Sequence, residues 1–179
     1  MACIKTLNKA ITYACQPGSV GIAEMYLINF DDVITYATVD GDNSITAIKL
    51  KSGAKTVPVE CYKNGAKYTE ALKLSDVSAG LDQSVMFTLY SKNLSDANGI
   101  MAALLSGRFM AAIKLNDINA SPIMAGLKCG LEISQADTDS SAAGGFTTIT
   151  IKTPDDARGE NRTTITAKAW ATITAAKLA

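Results

Sequence analysis

The sequence contains no histidine. That absence removes the commonest general base, the serine–histidine nucleophile pair and the imidazole metal sites together. Aromatic residues make up 6% of the chain and charged residues 19%, the latter below the usual quarter. So few charges suit a surface that meets other protein chains, with an abundance of small residues as the alternative explanation. The 17 basic and 17 acidic residues cancel. There is no basic run to form a nucleic-acid groove, and no acidic tail. No segment approaches the ~20 apolar residues a membrane helix needs. The opening MACIKTLNKA is charged and interrupted, unlike a signal peptide. Cys3, Cys15, Cys61 and Cys129 form no CxxC pair, so zinc is not expected. They read as reduced, mostly buried thiols of a cytoplasmic protein. Without a histidine partner none is a protease-type nucleophile. No enzymatic activity, cofactor or metal is therefore expected.

What the chain does contain is β-pattern. Its 179 residues suit one domain, long enough to bury a core without cross-links. The most legible stretch is Gln83 to Ile113. Val85, Phe87 and Leu89 alternate with Met86, Thr88 and Tyr90, the period of a strand. Ser95 is placed to cap a helix over about 95–106, with Asp96 at its positive end. Ile100, Met101, Leu104 and Leu105 fall on one helical face. Gly107 stands where a left-handed residue often ends a helix, and Phe109 to Leu115 reads as strand again.

Around this stretch, Ile22 to Tyr36 reads as two strands parted by Asp31-Asp32. Asp40-Gly41-Asp42-Asn43 signals a turn before a strand through Leu50. Pro58 points to an edge strand or a strand start. Asn64-Gly65 suggests a hairpin joining Val57–Tyr62 to Lys67–Leu74. Ile123–Gly126 and Cys129–Ser134 read as paired short strands. Phe146 to Thr153 alternates, and Arg162 to Thr174 alternates too, with Ile165, Ala167, Ala169, Ala171 and Ile173 on one side and Lys168 and Trp170 on the other. The expected fold is mainly β: a sandwich or barrel of about eight to ten strands with one flanking helix. Residues 1–20 read as a short strand or an arm that packs on a neighbour. Residues 135–145 and 154–162 read as exposed loops.

The candidate sites are modest. Asp40, Asp42 and Asn43 lack the glycine and terminal glutamate of a calcium loop, so an ordinary turn is favoured. Asp137 and Asp139 could hold a cation, but a solvated loop is favoured. Asp155 and Asp156 with Arg158 and Glu160 form either a recognition tip or a charged exposed turn. Trp170 is a candidate subunit contact, with the core as its alternative. Together Asp137, Asp139, Asp155, Asp156, Arg158, Glu160 and Trp170 make the candidate interface set. The sequons at Asn93, Asn119 and Asn161 are chance matches without a secretion signal.

One combination of features resembles a known family. A strand and a single helix are followed by Gly107-Arg108-Phe109-Met110-Ala111-Ala112-Ile113. Then come Met124-Ala125-Gly126-Leu127-Lys128-Cys129-Gly130-Leu131, a polar loop, and a strand ending in Thr153-Pro154-Asp155-Asp156. Over about residues 83–158 this resembles major tail tube proteins of tailed phages and prophages, particularly those of gut Bacteroidetes. The resemblance implies a structural virion protein whose six-fold rings stack into a hollow tube that conducts DNA. Its implied partners are further copies of itself, the tape measure, tail terminator and baseplate or tip proteins, and DNA passing without sequence-specific contact. Its implied place is the virion tail, assembled in the host bacterial cytoplasm. Such lumens are commonly acidic, whereas this chain is neutral overall, so an acidic lumen would require uneven placement of its charges. The alternative reading is a capsid decoration protein or a binding module that works through its loops.

Overall fold

The computed structural model describes residues 21–39, 42–61, 65–75, 78–90, 94–117, 119–138 and 146–178. The chain forms β1 (Ile22–Asn29), a 3-10 turn (Phe30–Asp32), β2 (Val33–Val39), β3 (Ser44–Leu50), β4 (Val57–Val59), β5 (Ala66–Ser75) and β6 (Ser78–Leu89). Then follow α1 (Leu94–Ser106), β7 (Phe109–Leu115), β8 (Ile123–Ala125), β9 (Glu132–Thr138), β10 (Thr147–Lys152), β11 (Thr163–Ile165) and α2 (Ala167–Ala175).

The strands make two sheets, a larger one ordered β2-β3-β11-β8-β7-β1-β4 and a smaller one ordered β5-β6-β10-β9. In the larger sheet β1 and β2 are five ladder steps apart, yet only the turn Phe30–Asp32 joins them. Three residues reach about 10 Å at most, so this sheet must curl. The fold is thus a sandwich whose larger sheet is rolled.

The middle of the larger sheet, β7 and β8, is buried on both faces, which is why β7 reads as an unbroken apolar run rather than an alternation. Phe109, Ala111 and Ile113 pack toward the smaller sheet with Met25, Leu27, Val85, Phe87, Ile149 and Ile151. Met110 and Ala112 pack the other way with Ile28, Ile45, Met124, Ile165, Ala169 and Ile173. α2 covers that second face. α1 lies at the end of the sandwich, where Leu104 is buried in the first cluster and Met101 packs against it.

Several sequence expectations are corrected here. Arg162–Thr174 is not one alternating strand: the strand stops at Ile165, and α2 begins after Thr166, whose side chain accepts from Ala169 N. There are therefore two helices among the described residues, not one. Ala169 and Ile173 are the buried pair of α2, four residues apart as a helix face requires. Ala167 and Ala171 are exposed. Asn64-Gly65 does not close a hairpin, since β4 pairs with β1 and β5 pairs with β6 in the other sheet. β8 and β9 likewise lie in different sheets.

On α1 only part of the expected apolar face is covered: Ile100 is 40% exposed and Leu105 68%. Gly107 is not left-handed. It is needed for space, because a Cβ there would lie 2.8 Å from Phe109 Cζ and 2.9 Å from Ala103 O. The cap expected of Ser95 falls on a side chain outside the described set, and the possible arm at 1–20 lies outside the described residues. Pro58 does sit in an edge strand, β4.

Candidate subunit-contact surfaces

The interface candidates do not form one surface. Asp137 lies on β9, not in a loop: β9 pairs with β10 as far as Thr138 opposite Thr147. It is exposed on an edge strand and accepts a 2.6 Å hydrogen bond from Gln135 Nε2. Asp139 and residues 140–145 lie outside the described residues. Asp155, Asp156 and Arg158 are exposed at the turn after β10. Lys152 Nζ lies 2.6 Å from Asp155 Oδ1, and its ammonium holds the Asp155 carboxyl below the usual range. Trp170 is half-buried and stacks edge-on against Tyr26 at 5.6 Å, so the α2–sheet contact uses it.

Glu160 is the main correction. It was expected in an exposed loop and is 4% exposed. Its Oε1 accepts from Lys128 N, Cys129 N and Cys129 Sγ, each at 2.9 Å. The donors sit in the tight turn after β8, where Gly126 and Gly130 have positive φ of 71° and 72°. Left-handed backbone there suits glycine. Burial, reinforced by Glu160, pushes the Cys129 thiol up to about 12. Burial also pushes Cys61 up to about 11. Both cysteines are free and stay protonated at neutral pH.

Sequence reasoning also missed a second, half-buried carboxylate. Glu70 on β5 accepts from Arg162 Nε at 2.8 Å and from Tyr68 Oη. Burial raises the Tyr68 phenol, and the bond to Glu70 raises it further. Burial also pushes Glu70 upward, but the Arg162 and Tyr68 bonds outweigh it and hold the carboxyl low. A carboxylate lowered on folding stabilises the fold above its unfolded value, about 4.3, and that stability is lost as pH falls through the folded value. The melting temperature of the wild type should therefore hold from neutral pH to about 5 and then fall. Glu70→Gln should melt lower at pH 7 and fall less steeply in acid. An unchanged acid slope in that variant would remove Glu70 from the account.

The open edges of the smaller sheet are the remaining surface. Among the described residues, β5 and β9 each pair on one side only. Cross-strand partners share a face, and Val85, Phe87, Ile149 and Ile151 define the inner one. Lys67, Met86, Thr150 and Gln135 therefore form one row across the outer face. Thr88, Thr148 and Asp137 form the next row. The row that begins with a base on β5 thus ends, on β9, beside an acid. Among the described residues no group of acidic and cysteine side chains could hold a metal, and no helix is long and apolar enough to cross a membrane.

Compared with protein-family models, curated proteins and solved structures, the chain matches none.

Proposed function

We propose that this chain is a structural virion protein, a tail-tube subunit that assembles into stacked, hexameric rings around a lumen through which DNA passes. The observation that carries the reading is the pair of open edges on the smaller sheet. Successive strands in this sheet are antiparallel, so β5 and β9 run in opposite directions. The β9 edge of one copy can then accept the β5 edge of the next with the same antiparallel pairing used inside the sheet. Such a contact is head-to-tail, closes into a ring, and hides edges that would otherwise invite uncontrolled pairing.

Charge placement supports the same pairing. In register, Lys67 of one copy meets Gln135 and Asp137 of its neighbour. The raised thiols of Cys61 and Cys129 and the lack of histidine fit a structural role rather than a catalytic one. Tape measure, terminator and baseplate or tip proteins are the partners this role brings, in a virion tail built in the host bacterial cytoplasm.

Negative-stain microscopy of the purified chain should show rings or tubes. Lys67→Glu and Asp137→Lys should each abolish them, and the doubly swapped variant should recover them. A monodisperse monomer at every concentration would defeat the reading.

A further inference from the structure

The two ends of the molecule differ in a complementary way. At one end the β5–β6 hairpin projects past the sheet: β10 accompanies β6 only over Ser84–Leu89, whereas β5 follows it to Ser78. On this projection Leu72 is 67% exposed and Leu74 70%. They are two residues apart, so they share a face. A lone exposed leucine is ordinary, but this pair is held out on a braced arm. Lys73 Nζ, from the opposite face, donates to Pro154 O and Asp155 O, both at 3.0 Å. Leu81, opposite Leu72, exchanges backbone hydrogen bonds with Glu160 at 2.9 and 3.0 Å.

At the other end lies an open cavity of about 320 Å³ beneath α1, lined by Leu27, Val57, Phe87, Leu89, Ile100 and Leu104 among others. Val57 and Ile100 are 41% and 40% exposed at its edge. Leu81 and Leu89 mark the two ends on one strand, roughly 27 Å apart at about 3.4 Å per residue. The arm therefore cannot enter the cavity of its own chain. Charge is complementary as well: among the described residues the cavity's charged lining residue is Glu60, while Arg162 stands by the leucine face of the arm, bonded to Glu70 and 59% exposed.

We propose that the Leu72–Leu74 arm of one copy seats in the cavity beneath α1 of a second copy, joining copies end to end. An apolar projection matched to a pocket elsewhere on the same molecule gives a contact that repeats without closing. It leaves free the β9 edge and the first half of the β5 edge, where Lys67 lies. It rests on the ring reading for its biological meaning, where it is the contact that stacks one ring on the next.

The test uses the full chain. Leu72→Ser/Leu74→Ser removes the arm's apolar face, and Ala103→Phe, at an exposed helix position lining the cavity, fills the pocket. Both variants should melt like the wild type. Sedimentation velocity should show end-to-end association weakened roughly hundredfold in either, the effect expected from leaving two leucines in water. Each variant keeps one intact half, so an equimolar mixture should form a single joint and stop there. By microscopy, lone rings replacing tubes in both variants support the proposal and leave the ring reading intact. Tubes of wild-type length in either variant, or a wild type that forms rings without stacking, overturn this contact alone. A wild type that shows no association of any kind overturns both.

Discussion

Phe109→Asp should abolish the folded state. Phe109 opens β7, 7% exposed, and faces the cluster between the sheets. Its backbone exchanges hydrogen bonds with Leu131 at 3.0 and 2.7 Å, and its ring lies over Gly107 at the end of α1. Deleting a buried phenylalanine side chain costs about 3–5 kcal/mol. An ionised carboxylate placed there adds several kcal/mol more, since it would lie among the apolar side chains of that cluster. The sum is comparable to the ~5–15 kcal/mol that a domain of this kind has to lose. Phe109→Leu keeps an apolar group and should cost about 2 kcal/mol. Urea midpoints of the soluble variants decide the matter. A wild-type midpoint for Phe109→Asp would mean that this residue does not face the core.

The same residue shows how much of the fold the sequence carried. The strand–helix–strand around Phe109 was legible because each element has its own period and turn residues mark the joints. The sandwich class followed from alternation in Val85–Leu89 and in Phe146–Thr153. α2 was not legible as a helix. Ala, Thr and Ile alternate from Arg162 onward, and β-branched residues favour strands. The opposing signals were the four-residue spacing of Ala169 and Ile173 and a threonine placed to cap, which tertiary burial made decisive.

Strand partners were also beyond local reading. Asn64-Gly65 is a good turn dipeptide, but β4 and β5 are claimed by different sheets, and nothing near the turn encodes that. Of the candidate interface residues, Asp137, Asp155, Asp156 and Arg158 are exposed. Glu160 is not, because its partners are backbone amides around residue 128, more than thirty positions away. A buried carboxylate bound by main-chain donors leaves no side-chain motif to find.

That hidden contact sets the second large effect, expected at Gly80→Ala. The loop after β10 returns to β6 so closely that a Cβ on Gly80 would lie 2.2 Å from Gly159 O and 2.3 Å from its carbonyl carbon. Both neighbours are backbone, so no side chain can swing aside. The strands must part, and the Leu81–Glu160 pair of hydrogen bonds at 2.9 and 3.0 Å is the first loss. Glu160 then moves away from Lys128 N and Cys129 N, leaving donors short of an acceptor at about 1–3 kcal/mol each. A destabilisation of about 3 kcal/mol or more is expected.

Gly159→Ala meets Gly80 C at 2.7 Å and should act through the same contact, so the double variant should cost less than the sum of the two. Gly99→Ala is the internal contrast. It lies in α1 with nothing within 4 Å of a new Cβ, and it should stabilise by about 0.5–1 kcal/mol. Chemical denaturation of the four variants gives the ordering directly. If Gly80→Ala shifted no further than Gly99→Ala, the loop would not be fastened to β6 at all. The brace that holds out the Leu72–Leu74 arm would then have to lie elsewhere.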